Sequence, residues 1–139
     1  RPPRSTLFPY TTLFRSYANA PSGGPLVQHS LPMMLELSAQ GVLPVETVVE
    51  KMCHAPARLF GVRDRGFLRT GHFADIVLVR PADPWTVSKE NILYKCGWSP
   101  LEGTAFSHRV VRTLVNGRTV YADGRVDTAH RGAELEFDR

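Results

Sequence analysis

From residue 30 to residue 61 the apolar positions recur at helical spacing, and beyond it they gather into short strand-like runs. Leu31, Met34, Leu35 and Ser38 repeat three or four apart. Pro32 suits the first turn of that helix, and Ser30 is a candidate cap. Gly41 is placed to end it. Pro44 opens a second helix whose apolar stripe is Val45, Val48, Val49 and Met52. His54 and Pro56 are expected to break and restart the chain for a short turn over residues 57–60, closed by Gly61. A cation at a helix C-terminus complements the dipole, so His54 reads as an end cap rather than a base. Residues 74–79 form a nearly continuous apolar run, as expected of a strand covered on both faces. Residues 110–115 and 119–121 flank Asn116-Gly117, a strong hairpin signal, and Asp123-Gly124 marks another turn. Residues 128–139 are mostly polar and charged and read as a frayed tail.

Ahead of the helices, residues 17–25 read as a loop, because Asn19, Pro21, Ser22, Gly23, Gly24 and Pro25 favour neither helix nor strand. Residues 1–16, RPPRSTLFPYTTLFRS, hold no period, and Pro2, Pro3 and Pro9 interrupt both patterns. Within them Thr6-Leu7-Phe8 recurs as Thr12-Leu13-Phe14. The stretch resembles translated sequencing-adapter read-through and is expected to stand outside the fold, with the native sequence starting inside a truncated gene near Tyr17. The expected organisation is a leader over 1–16, a loop and helices over 17–61, a β segment over 62–126 and a tail over 127–139.

A chain of 139 residues can bury a core without disulfide or metal staples. With 42% hydrophobic and 22% charged residues the composition is globular. The net charge of +4 suggests nucleic acid until it is located: Arg1, Arg4 and Arg15 supply three bases, leaving 14 bases against 13 acids, interspersed along the chain. A phosphate-tracking surface needs a concentrated basic patch, so no nucleic-acid partner is expected. No apolar run approaches the roughly 20 residues that span a bilayer, so no membrane partner is expected either. Cys53 and Cys96 fit no CxxC spacing and read as ordinary thiols. The five histidines are His29, His54, His72, His108 and His130, and no two are separated by one residue. Asp75 reads as ordering the turn into its strand, Trp85 and Trp98 as packing residues, and Lys95 as a surface lysine.

Four blocks narrow the family: APSGGPLVQHSLP over 20–32, VVEKMCHAPA over 48–57, GFLRTGHFADIVLV over 66–79 and WTVSKENILYKCGWSPLEG over 85–103. Together they resemble the C-terminal part of amidohydrolases, most closely bacterial dihydroorotases. The shorter pattern Ser99-Pro100-x-Glu102-Gly103 with Asn116-Gly117 is shared with hydantoinases and allantoinases. The resemblance implies an α/β architecture: helices from the C-terminal end of a (β/α)8 barrel, followed by strands of a small composite β-sandwich domain. In that family N-terminal strands complete the sheet, so their loss leaves an unpaired edge.

The resemblance further implies zinc-dependent interconversion of N-carbamoyl-L-aspartate and dihydroorotate in pyrimidine synthesis, with an aspartate shuttling the proton. Family ligands are a His-x-His pair, a carboxylated lysine, two further histidines and that aspartate. No histidine here matches such a position, so no catalytic or metal-ligating residue is assigned. The chain alone is expected to bind no zinc and to be inactive. Ser22 and Gly23 align with the family's substrate-contacting pair, with Pro21 and Gly24 as loop neighbours; most dihydroorotases carry a bulkier residue at Ser22. Glycine suits a place where backbone approaches a ligand closely. A small-molecule substrate, a cytoplasmic location and a homodimer of the full-length enzyme follow from the same resemblance. The alternatives are a hydantoinase- or allantoinase-type cyclic amidase, and a non-catalytic dihydroorotase-like subunit that scaffolds a partner enzyme.

Overall fold

The computed structural model describes residues 23–138, which divide between two compact units. One comprises residues 23–30 and 86–105, the other residues 31–85 and 106–138. The leader over 1–16 and the loop as far as Ser22 lie outside the described residues.

Helix α1 spans Ser30–Ala39, with Pro32 buried in its first turn. Ser30 does not cap through its side chain; its hydroxyl donates to the Val27 carbonyl at 3.3 Å. Gly41 ends the helix as expected, at φ 74°. The Gly41 amide donates to Ser38 and the Val42 amide to Leu37, the paired bonds that satisfy the last carbonyls of a helix.

Helix α2 covers Val45–Val49, continues without interruption as a π-helix over Glu50–His54, and resumes as α3 over Ala55–Leu59. The expected break at His54 and Pro56 is therefore absent. Proline has no amide hydrogen, and its ring crowds the carbonyl four residues back. The wider turn answers this: the Ala55 amide donates to the Glu50 carbonyl, five residues earlier, and the helix passes the proline intact. His54 consequently sits within the helical run rather than at its end. Its ring stacks on Phe67, 4.5 Å between centroids and 6° from parallel, with Nδ1 3.4 Å from a Glu50 carboxylate oxygen. Of the apolar stripe only Val48 is buried, while Val45, Val49 and Met52 remain exposed. Gly61 closes α3 with the same pair of bonds that closes α1.

The strands β1 (Ile76–Thr86), β2 (Ala105–Val115), β3 (Arg118–Ala122) and β4 (Arg125–Val126) form one sheet in that order. β2 with β3, and β3 with β4, pair antiparallel. Asn116 and Gly117 both have positive φ, 51° and 77°, as do Asp123 and Gly124 at 49° and 81°. Each pair forms the mirror-image turn whose twist matches the flanking strands. β1 departs from expectation: it is eleven residues long, it is not covered on both faces, and Val77 and Leu78 are each 45% exposed. It lies at the sheet edge among the described strands. That position tolerates Pro81 and Pro84, which cannot donate to a second neighbour.

Residues 128–139 were expected to fray, but residues 136–138 are paired with residues 61–63. Phe137 bridges antiparallel to Val62, so this stretch is tied to the segment that follows α3. The acids that made it look solvent-bound, Glu136 and Asp138, are paired with Arg63. The packing of α3 against the next loop is equally close. Gly66, at φ 81°, leaves no room for a side chain: a β-carbon there would stand 2.5 Å from the Ala57 β-carbon and 2.9 Å from the Cys53 carbonyl oxygen.

In the unit of residues 23–30 and 86–105, His29, Val87, Ser99 and Leu101 are buried. His29 Nδ1 lies 3.2 Å from the Ser99 hydroxyl, which also accepts the Leu101 amide. Burial lowers the His29 pKa below its ordinary 6.5. Val87 and Thr104 continue the β1–β2 pairing, the Val87 amide donating to the Thr104 carbonyl at 2.9 Å. Trp85, expected to pack, lies against Phe106 with ring centroids 5.5 Å apart and donates its indole N–H to the His108 carbonyl at 2.9 Å, while Trp98 is half-buried. No helix among the described residues is long and apolar enough to cross a membrane.

Two predictions follow from this packing. Gly66→Ala combines a left-handed φ with a steric clash and should cost about 3 kcal/mol in denaturant unfolding. Gly71→Ala, at φ 85° but with nothing within 4 Å of the added carbon, should cost only about 1 kcal/mol. Equal losses would remove the close approach from the account. For His29, the folded chain resists protonation, whereas the unfolded chain takes up a proton near 6.5. Its contribution is thus complete above about pH 6.5 and is lost as the pH falls from there toward the lower folded-state pKa. Urea midpoints across pH 5 to 8 should fall on acidification, and His29→Gln should flatten that slope.

Candidate functional site

The loop that contains the assigned glycines is built from its anchor outward. Ser88 sits before a short 3-10 turn, Lys89–Asn91, and its amide donates to the Asn91 side-chain oxygen at 3.1 Å. The Asn91 side-chain nitrogen donates to the Thr86 carbonyl at 2.8 Å. Asn91 is thereby held with its own carbonyl outward, where it accepts from Gln28 Nε2 at 2.8 Å. Gln28 Oε1 in turn accepts the Leu93 amide at 2.9 Å. The primary amide of one glutamine therefore satisfies a donor and an acceptor on a neighbouring backbone, as a paired strand would.

The backbone of Gln28 is fixed as well: its amide donates to the Tyr94 hydroxyl at 2.7 Å. The Tyr94 ring meets His29 edge-on, with centroids 5.7 Å apart. Burial pushes the Tyr94 pKa up, against the opposing effect of the amide hydrogen bonds it receives, so the phenol stays neutral. The Leu26 carbonyl accepts the amides of both His29 and Ser30, at 3.0 and 2.8 Å, which tightens the turn. From Leu26 to Ser30 the chain is thus pinned at nearly every residue.

Gly23 and Gly24 lie just outside this clamp and are exposed, as is Val27 at 89%. Pro21 and Ser22, assigned with them, lie outside the described residues. A β-carbon built on Gly23 meets nothing within 4 Å, so packing makes no demand for glycine there. What remains is access: exposed N–H and C=O groups beside a rigid anchor can hydrogen-bond a small polar ring, and among the described residues no atom lies within 4 Å of a β-carbon built on Gly23.

Sequence reasoning missed the Gln28 clamp, since residues 63 to 66 positions apart carry no local period to join them. It did place the two halves in separate motif blocks, 20–32 and 85–103, and the structure brings those blocks together. Asp75 was expected to order its own turn. Its carboxylate instead reaches further, accepting the Asn116 amide at 2.8 Å with one oxygen and pairing with Arg65 through the other. Lys95 is exposed, as expected of a surface lysine. Both cysteines are exposed free thiols. Among the described residues no three His, Cys, Asp or Glu side chains converge closely enough to hold a metal ion. This set of described residues therefore does not fit a zinc centre.

The profile of the amidohydrolase family matches residues 26–121. The chain is similar to a dihydroorotase from Pyrococcus furiosus, 29% identical over 82% of this chain and 27% of the relative. It is 40% identical to an allantoinase from Bacillus velezensis over 74% of this chain and 22% of the relative. Among solved structures it matches L-hydantoinase (dihydropyrimidinase) from Arthrobacter aurescens with a TM-score of 0.70 and 33% identity, over 80% of this chain and 25% of that one. The chain thus spans about a quarter of the length of the relatives it matches. Since the family profile takes in both the clamped Gln28 and the Asn116-Gly117 turn, and the solved relatives share the arrangement of helices and antiparallel sheet, the chain belongs to the amidohydrolase family.

Proposed function

We propose that this chain supplies the substrate-loop and C-terminal β portion of a cyclic amidohydrolase of the dihydroorotase type. In this reading the backbone of Ser22 and Gly23 hydrogen-bonds the ring of dihydroorotate or N-carbamoyl-L-aspartate. The observation that carries it is the pairing of an open glycine loop with a rigid anchor. Gly23 has open space around its α-carbon, and it adjoins a segment fixed by Gln28 and Tyr94. Orientation by pre-fixed groups lowers the entropic cost of reaching the reacting geometry. Zinc, which the family resemblance implies, has no ligand set among the described residues. The contribution of this segment is binding rather than bond breaking. Dihydroorotases from several archaea support the substrate class by their similarity to this chain.

The 40% identity to an allantoinase and the 33% identity to an L-hydantoinase favour a second reading, a cyclic amidase of that type. Turnover of dihydroorotate, allantoin and hydantoin by the full-length enzyme that carries this segment decides between them. The highest kcat/KM is expected for dihydroorotate; a clear preference for either other ring would install the second reading. This chain assayed alone, with zinc added, is expected to show no turnover above background.

The loop assignment has its own test in the full-length enzyme. Gly23→Val should lower kcat/KM at least tenfold, about 1.4 kcal/mol of transition-state stabilisation, by crowding the approach of substrate. Because the added side chain meets open space in the fold, the melting temperature should not change. Ser22→Ala should leave both kinetics and stability near wild type. If Gly23→Val also retains wild-type kinetics, the loop is a connector.

A further inference from the structure

The pairing of residues 61–63 with residues 136–138 lies outside the substrate loop and has the construction of a recognition site. Val62 and Phe137 face each other in an antiparallel bridge. The Asp138 amide donates to the Gly61 carbonyl at 2.8 Å, and the Arg63 amide to the Glu136 carbonyl at 2.9 Å. Arg63 then reads both acids, Nε donating to Asp138 at 3.0 Å and Nη1 to Glu136 at 3.0 Å. Alternate residues of an extended segment share a face, so acids at 136 and 138 meet one guanidinium together while Phe137 turns the other way. Gly61 makes the approach possible, since a β-carbon there would stand 2.8 Å from the Asp138 carbonyl oxygen.

The seat is specific in geometry and weakly held. The side chains of Arg63, Glu136 and Asp138 are 49%, 72% and 69% exposed, so their ion pairs are screened by solvent and salt. Residues 127–135, which lead to the seat, adopt neither helix nor strand. Two backbone bonds and one exposed fork belong to the low-stability end of local opening.

We propose that residues 61–63 form a strand-addition site for an extended acidic peptide of the pattern acid–apolar–acid, and that Glu136–Asp138 is its resident ligand in cis. Main-chain pairing supplies affinity in such sites, and the side chains flanking it supply choice. The tethered segment competes at an effective concentration of order millimolar, so an outside peptide engages only when the resident one is displaced or weakened.

The test uses a labelled peptide of residues 132–139 and the whole chain. Wild type should bind it weakly, and the chain carrying Glu136→Lys and Asp138→Lys at least tenfold more tightly, with the gain eroded by 0.5 M NaCl. Adding Arg63→Glu should abolish that binding, and a peptide with lysine at both acidic positions should bind the chain that carries Arg63→Glu alone, whose resident acids are now repelled. Binding no tighter than wild type in the charge-reversed chain, or binding that survives Arg63→Glu, overturns the proposal. Hydrogen exchange on the unmodified chain guards against misfolded variants. The Arg63 and Asp138 amides should be protected, and added salt should speed their exchange while leaving the β2–β3 hairpin unaffected. Exchange of both amides at the rate of an unstructured peptide also overturns it.

Discussion

Arg65 is 8% exposed, and a guanidinium that deep in a protein costs on the order of several kcal/mol unless it is matched. Asp75 provides the match and settles more than a charge. One carboxylate oxygen pairs with Arg65, and the other receives the Asn116 amide from the tip of the β2–β3 hairpin. The neighbouring Ala74 carbonyl takes the Gly117 amide at 3.0 Å. Phe73 lies beneath the guanidinium, 4.1 Å from ring centroid to the central carbon. The loop after α3, the entry to β1 and the far turn of the sheet are therefore located by one ionic group. Removing the carboxylate would strand a buried cation and free the Asn116 amide at the hairpin tip, which explains why a single short acid occupies this junction.

Much of the architecture was readable from local chemistry. Gly41, Gly61 and Asn116-Gly117 stand where the backbone turns left-handed, and their identities alone locate those turns. The order of helices before strands was likewise visible as a change of period. What escaped was settled by groups with no local signature. Pro56 predicts a break only if the helix must remain α, and a single π-turn removes the conflict. The apolar run at 74–79 predicts burial on both faces, but burial depends on what lies opposite, and Val77 and Leu78 are exposed among the described residues. The polar stretch near residue 137 looked frayed because its acids seemed to want water, whereas Arg63 lies 73 to 75 positions away in sequence.

The candidate site was legible in the same partial way. Composition and family pattern singled out the glycine loop, and the structure describes only its second half. At position 23 an added β-carbon would meet open space, so packing makes no demand for glycine there. The anchoring residues, Gln28, Asn91 and Tyr94, are each unremarkable in composition, and only their convergence gives them a role.

The eleven-residue edge strand β1 also bears on how the protein behaves in a crowded solution. An uncovered strand is a template onto which another chain can add, and hydrophobic residues facing outward from it make such growth self-reinforcing. Pro81 and Pro84 cannot donate to an incoming chain, so the template is interrupted in the second half of the strand. Its first half, Ile-Val-Leu-Val followed by Arg80, has one charge as its gatekeeper. Among the described strands, the uninterrupted length of this edge is therefore Ile76–Val79, with Arg80 as the charge at its boundary.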